Sequence, residues 1–276
     1  MGFNTSQTIN LFNGQQLQWL EKNETLGMDI ARFFKQNNNS VVAKAFGKLA
    51  IEAWIAGGEV DFVNEIIKDP TFVGTKADCV LKQLLNQTGY FKEVMDAFTN
   101  NNSNYKIKFV VGELSSQNQA AGADAETGPP DENNIITTTI RPDVINKDAL
   151  EIASVLLHED VHAQLHRILA SGNKAEYNLS SSDYNWLIDL EKFWSNNSEI
   201  PTAQHDFMTV RYVDKIASSM RKFDGSIYPV TNYMFFGWDG LYDEGKNRGL
   251  IDKTKFEEFQ NLAKIPLTDN HKTSCD

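Results

Sequence analysis

The stretch Leu156-Leu157-His158-Glu159-Asp160-Val161-His162-Ala163 constrains this chain more than any other. It reads H-E-x-x-H inside an apolar run. On a helix, histidines at i and i+4 leave the same face about 6 Å apart along the axis. That spacing suits two nitrogens meeting one zinc ion, and Glu159 then lies beside the water such an ion holds. The motif therefore asks three things of the rest of the chain: a helix beneath it, a third ligand, and a strand to hold a substrate.

The helix is well signalled. Asp148 with Glu151 three residues on resembles a capping box, with Asp148 or Asn146 as the cap, and Ser171-Gly172-Asn173 marks the end. Leu150, Ala153, Leu157, Val161, Leu165 and Ile168 make one broad apolar side, which leaves Asp160, Gln164 and Arg167 as a narrower wet stripe. Ahead of the helix, Ile135–Ile140 is β-branched throughout, reads as a strand and is closed by Arg141-Pro142. Tyr105–Val111 alternates apolar and polar residues and reads as a second, half-buried strand. Residues 113–134, with Gly122, Gly128, Pro129 and Pro130, lack periodicity and are expected to form a mobile loop.

Elsewhere the apolar spacing is helical. Short helices fit the Asn- and Gln-rich residues 1–40. A stronger pattern covers Val41–Ala56 and stops at Gly57-Gly58; Asp61 to Ile67 reads as one further short helix. Lys76–Phe98 is helical with an interruption at Thr88-Gly89. Ser181 or Ser182 is positioned to cap a helix carrying Trp186 and Leu187, and a single helix is expected from Pro201 to Phe223. An aromatic segment, Tyr228 to Tyr242, precedes a last short helix at Lys253–Leu262. The expected fold class is α+β, mostly helical, with a small sheet packed beside the motif helix. Residues 1–75 are expected to form an N-terminal helical extension and residues 76–276 the main domain.

A catalytic zinc site takes three protein ligands and an open position. The chain has five histidines. His166 shares the motif helix but lies eight residues beyond His158, about 12 Å along the axis, too far for one tetrahedral ion. It fits a supporting or pocket-wall role. His271 sits in a polar tail. His205, near the start of the helix after the motif region, is the remaining histidine, with Thr209, Tyr212 and Ile216 on its face. A carboxylate ligand would come from Asp206, Asp214, Asp189 or Glu191. Tyr212, Tyr228 and Tyr233 are candidates to polarise a substrate carbonyl, with aromatic packing as the plainer reading of each.

Composition narrows the class. Hydrophobic residues at 41% and aromatic residues at 11% are ample for a core. A net charge of −11 without any Lys/Arg stripe argues against nucleic acid as a partner. No apolar run is long enough to span a membrane, and the N-terminus lacks the basic and apolar blocks of a signal peptide. Met1-Gly2 with Ser6 fits a myristoylation pattern only superficially. Cys79, among apolar helix residues, reads as a small core side chain, Cys275 lies in the tail, and the two suggest no disulfide framework.

With these residues in place, the chain resembles the zincin-type metallopeptidases, and more narrowly the metallopeptidase-like domains at the C-terminal ends of bacterial polymorphic and Rhs-type toxins. The resemblance runs through Gly57-Gly58-Glu59-Val60-Asp61-Phe62, Ala77-Asp78-Cys79-Val80, Ile135–Ile140 and His158–Ala163. It continues through Gln204-His205-Asp206-Phe207-Met208 with Tyr212, and Gly237-Trp238-Asp239-Gly240-Leu241, and covers roughly residues 55–265. It implies a zincin-like core in which His158, His162 and His205 hold one catalytic Zn2+, with Glu159 as general base. The histidine of the Q-H-x-x-M segment is the family's natural third ligand. Protein or peptide substrates, a bacterial toxin or effector role, and export as a cargo or as the tail of a larger polypeptide are further implications. So is a strand, here Ile135–Ile140, pairing with an extended substrate. The alternative expectation is a non-enzymatic cargo or binding protein with a structural or vestigial zinc site. Hydrolysis of another bond, such as a peptidoglycan cross-link, is a third.

Overall fold

The two strands flagged by β-branched and alternating sequence are β3 (Lys106–Val111) and β5 (Ile135–Ile140). They pair in parallel from Lys106 opposite Ile135 to Val111 opposite Ile140. A computed structural model describes residues 11–87, 89–99, 103–172, 180–195, 200–269 and Cys275. It adds β1 (Glu59–Asp61), β2 (Ile66–Lys68) and β4 (Ala125–Thr127), giving one mixed five-stranded sheet in the order β1-β2-β3-β5-β4. β2 runs parallel to β3, whereas β1 and β4 are antiparallel to β2 and β5. The fold is α+β and mostly helical.

Successive residues of a strand face opposite ways, and two cores result. Ile66, Ile107, Phe109, Ile136 and Ile140 enter the larger core, while Ile67 and Ile135 enter a second one. The second is closed by aromatic and aliphatic side chains of α2 (Glu24–Gln36) and α3 (Val41–Ile55), with α1 (Gly14–Lys22) packed alongside. The larger core is built with α4 (Lys76–Asn86) and α5 (Tyr90–Thr99). Described residues 11–75 supply β1 and β2 to the sheet and the three helices that cover its second face.

Several local expectations are corrected by the structure. Asp61 to Ile67 is not a helix: Asp61 ends β1, residues 62–65 turn, and Ile66-Ile67 open β2. The Asp61 carboxylate accepts from the Val63 and Asn64 main-chain N–H groups and from the Asn64 amide. Glu65 takes a left-handed φ of +51°, and Ile66-Ile67 then continues as strand, where β-branched side chains pack well. Residues 113–134 hold α6 (Ser116–Ala120) and β4. Glu126 joins them by accepting from Ser115 N–H and Oγ–H and from the Asn118 amide, at 2.9, 2.7 and 2.7 Å.

The motif lies on α7 (Ala149–Ser171), which has the capping box at Asp148 and Glu151 and ends at Gly172 with φ +63°. The wet stripe is absent. Asp160 and Arg167 are 2% and 1% exposed, because α7 is enclosed by α4, α5, β4, β5 and the later helix α10 (Val213–Phe223). Gln164 accepts a hydrogen bond from the Tyr90 hydroxyl at 2.6 Å, and the Arg167 guanidinium lies 5.4 Å over the Phe98 ring. A helix buried on every side has no solvent face for its polar residues to mark.

Beyond α7, α8 (Ser181–Ser195) is capped by Ser180, whose Oγ accepts from Asp183 N–H at 3.1 Å, and not by Ser181 or Ser182. The helix expected over 201–223 is two, α9 (Ile200–Arg211) and α10, divided at Tyr212. Main-chain bonds of 2.9 Å on either side of Tyr212 persist through the division, and the change of direction sends α9 against α8 and α12 (Tyr242–Asn247) and α10 against α7 and α11 (Met234–Trp238). Gly237 permits that last crossing, since a Cβ there would stand 2.5 Å from the Val213 carbonyl. α13 (Lys253–Thr268) follows.

Cys79 and Cys275 are disulfide-bonded across 196 residues of sequence, which corrects the reading of Cys79 as simply a small core side chain. The cross-link ties the C-terminal tail to α4. Closing so long a loop restricts the unfolded chain, so the double variant Cys79→Ser/Cys275→Ser should lose about 2–5 kcal/mol in denaturant unfolding, and reductant should destabilise only the wild type. Next to it, buried Asp78 binds Lys68 and Lys82, each at 2.8 Å, and Gly74 N–H at 3.1 Å. Burial raises its carboxyl, but the bonds from Lys68, Lys82 and Gly74 together outweigh that and hold it below 3.8. A lowered folded value stabilises above the unfolded one and is lost as pH falls. Asp78→Asn should therefore cost about 3–5 kcal/mol near neutrality, with the difference from wild type shrinking below the ordinary value of 3.8.

Candidate metal centre

The H-E-x-x-H spacing on α7 and the start of α9 bring three imidazoles to one point. His158 Nε2 lies 3.1 Å from His162 Nε2 and 3.3 Å from His205 Nε2, and His162 and His205 are 3.1 Å apart by the same atoms. A tetrahedral ion about 2.0–2.1 Å from each nitrogen would set them about 3.3–3.4 Å apart. These three are the histidine, cysteine and carboxylate cluster of metal-holding geometry found among the described residues. The donor set is chemically apt: three imidazole nitrogens suit a borderline divalent cation such as zinc.

Electrostatics keep the rings in the ligand form. Burial first, then repulsion between neighbouring rings, holds His158 well below 6.5 and His205 at about 3. Burial, partly opposed by Gln204, holds His162 at about 4. All three are thereby held toward the neutral form, the form in which an imidazole can ligate a metal. Glu159, 6% exposed, is pushed up to about 7 by burial, partly opposed by the Thr127 hydroxyl. Its Oε2 is buried without a hydrogen-bond partner, a costly arrangement unless something polar is to be met there.

Each ring is also held from behind. His162 Nδ1 is 2.5 Å from Gln204 Oε1. His158 bonds the Asp239 main chain, and its ring rests on Gly240, where a Cβ would fall 3.0 Å from Cε1 and where φ is +75°. His205 Nδ1 lies 3.9 Å from Glu244 Oε1. Thr127 stands beside Glu159, its Oγ1 3.4 Å from the Glu159 carbonyl and 2.8 Å from Thr138 Oγ1. Sequence reasoning gave no role to Gln204, Thr127, Asp239, Gly240 or Glu244. Only Gln204, adjacent to His205, and the Asp239-Gly240 pair lay in segments already singled out. Thr127 lay in the stretch without periodicity.

The other candidates lie elsewhere. His166 Nε2–H donates to the Thr127 carbonyl at 3.2 Å, away from the triad. Tyr212 is buried with its ring against Tyr90 and Phe207, and the Tyr228 and Tyr233 hydroxyls donate to Asp269 and Asp224. Asp206 pairs with Arg248, and Asp189 and Asp214 are exposed. The Glu191 side chain and His271 lie outside the described residues. Ile135–Ile140 cannot accept a substrate strand, because β3 and β4 occupy both of its edges; β4 is the outer strand there.

Comparison with known proteins returns nothing: no family, curated relative or solved structure matches this chain. The site's chemistry must be read from its own residues. Gly240→Ala, forcing both a side chain onto His158 and a left-handed φ on alanine, should weaken zinc binding about 10–100-fold, the range for loss of a supporting contact, measured by competition with a chromophoric chelator.

Proposed function

We propose that this chain is a zinc-dependent metalloendopeptidase with a zincin-like catalytic core. The observation that carries the reading is the convergence of three Nε2 atoms within 3.3 Å of one another, with a buried carboxylate that has one oxygen without a partner on Glu159, next in the chain to His158. Zinc bound by His158, His162 and His205 would supply a Lewis acid for water and for the scissile carbonyl oxygen. Glu159, poised by burial near neutrality, takes the proton of the attacking water and returns it to the departing amine.

Substrate binding follows from the sheet. Asp124 and Gly128 bond Arg141 and Thr137 of the neighbouring segment, so in this register Ala125 and Thr127 turn their main-chain groups to the outer edge, where the Thr127 carbonyl already accepts from His166. An extended peptide pairing along β4 lies against the helix that carries Glu159. The Cys79–Cys275 bond supports service in an oxidising compartment, in keeping with an exported bacterial effector or toxin. Among the described residues, no helix is long and apolar enough to cross a membrane.

Glu159→Gln should retain one zinc per chain while peptide-library cleavage falls about 10²–10⁴-fold, the usual contribution of a general base. Chelation should abolish wild-type cleavage and zinc should restore it. An active Glu159→Gln protein would sink the mechanism. Zinc bound by a wild type that cleaves nothing would instead assign the histidines to a structural ion in a non-enzymatic cargo protein.

A further inference from the structure

We infer that His166 and Gln204 are positioning residues, forming a one-way hydrogen-bond relay that decides which nitrogen of His162 faces the metal. The inference rests on the reading of His162 as a ligand, though not on peptide hydrolysis. The relay starts at the Thr127 carbonyl of β4, which can only accept. His166 Nε2, 3.2 Å away, must therefore carry the proton, and a neutral His166 then has its lone pair on Nδ1.

Gln204, 1% exposed, lies next in line. Its Nε2 is 3.4 Å from His166 Nδ1 and 3.5 Å from His166 Nε2, and its Oε1 is 2.5 Å from His162 Nδ1. A glutamine amide can present either end, and the neighbouring groups settle which. Flipped, it would set Oε1 against the His166 lone pair and an N–H against His162 Nδ1. That would drive the His162 proton onto Nε2, into the centre of the triad. In the observed sense, Gln204 donates to His166 and accepts from His162 Nδ1–H, which leaves the His162 Nε2 lone pair among the Nε2 atoms of His158 and His205. A main-chain carbonyl on the edge strand thus fixes the tautomer of a metal ligand through two intervening side chains.

The test uses the full-length chain, 15N-labelled and free of metal, with histidine tautomers read from long-range 1H–15N spectra. The expected result is a proton on Nδ1 of His162 and on Nε2 of His166. Gln204→Met should move His162 protonation toward Nε2 and weaken zinc binding about 10–100-fold, with the far-ultraviolet circular dichroism unchanged. His166→Leu should do the same. His166→Gln, whose amide can donate to Thr127 and accept from Gln204, should restore both properties. A wild-type His162 protonated on Nε2 overturns the relay, and that reading stands even where Gln204→Met fails to fold. A folded Gln204→Met with unchanged tautomer and zinc affinity overturns it as well. The expected tautomers in a protein that binds zinc but cleaves no peptide uphold the relay and remove only the peptidase reading.

Discussion

The structure turns on the burial of three imidazoles whose Nε2 atoms converge on one point. Nitrogens 3.1–3.3 Å apart and desolvated need a proton or a cation between them, since facing lone pairs repel. Nothing in α7 alone would hold them so. The rings stay because Gln204, the Asp239 main chain and Gly240 fix them from behind, and because α7 is gripped on all sides. The sheet and α4 and α5 close one side, and α10 and α11, brought close by Gly237, close the other. The broken helix at Tyr212 belongs to the same arrangement. It lets α9 deliver His205 to the triad while α10 packs along α7.

Local chemistry was legible in the sequence, and pairing at a distance was not. The Asp148 capping box and Gly172 end signal act within a few residues, so α7 could be bounded before its surroundings were known. The β-branched Ile135–Ile140 and alternating Tyr105–Val111 likewise announced two strands. β1, β2 and β4 are three residues each, too short for periodicity to register, and become strands only because longer neighbours offer them a ladder. Ile66 and Ile67 illustrate the cost of missing them. They look like one turn of an apolar helix, yet they enter opposite cores and tie the helices of residues 11–55 to the sheet. The Cys79–Cys275 bond lay beyond reach for a similar reason, since it joins a helix to a tail across 196 residues.

The site divides along the same line. His158, Glu159 and His162 come from one spacing on one helix, and His205 could be weighed against His166 by length alone. What spacing cannot give is the orientation of a ring or an amide, which depends on partners from other elements. Asp160 shows the error this invites: as a charged residue on an apolar helix it read as solvent-facing, whereas it is 2% exposed with neither carboxylate oxygen hydrogen-bonded, and burial pushes its carboxyl well above the usual range. Its neighbour Glu159 is buried almost as deeply but turns toward Thr127 and the β4 edge. Two adjacent carboxylates of similar burial therefore differ in their surroundings, because only Glu159 meets a hydroxyl, that of Thr127. Amphipathic patterning ranks residues by polarity around a helix; for a helix buried all round, the informative variable is instead which enclosing element each polar group meets.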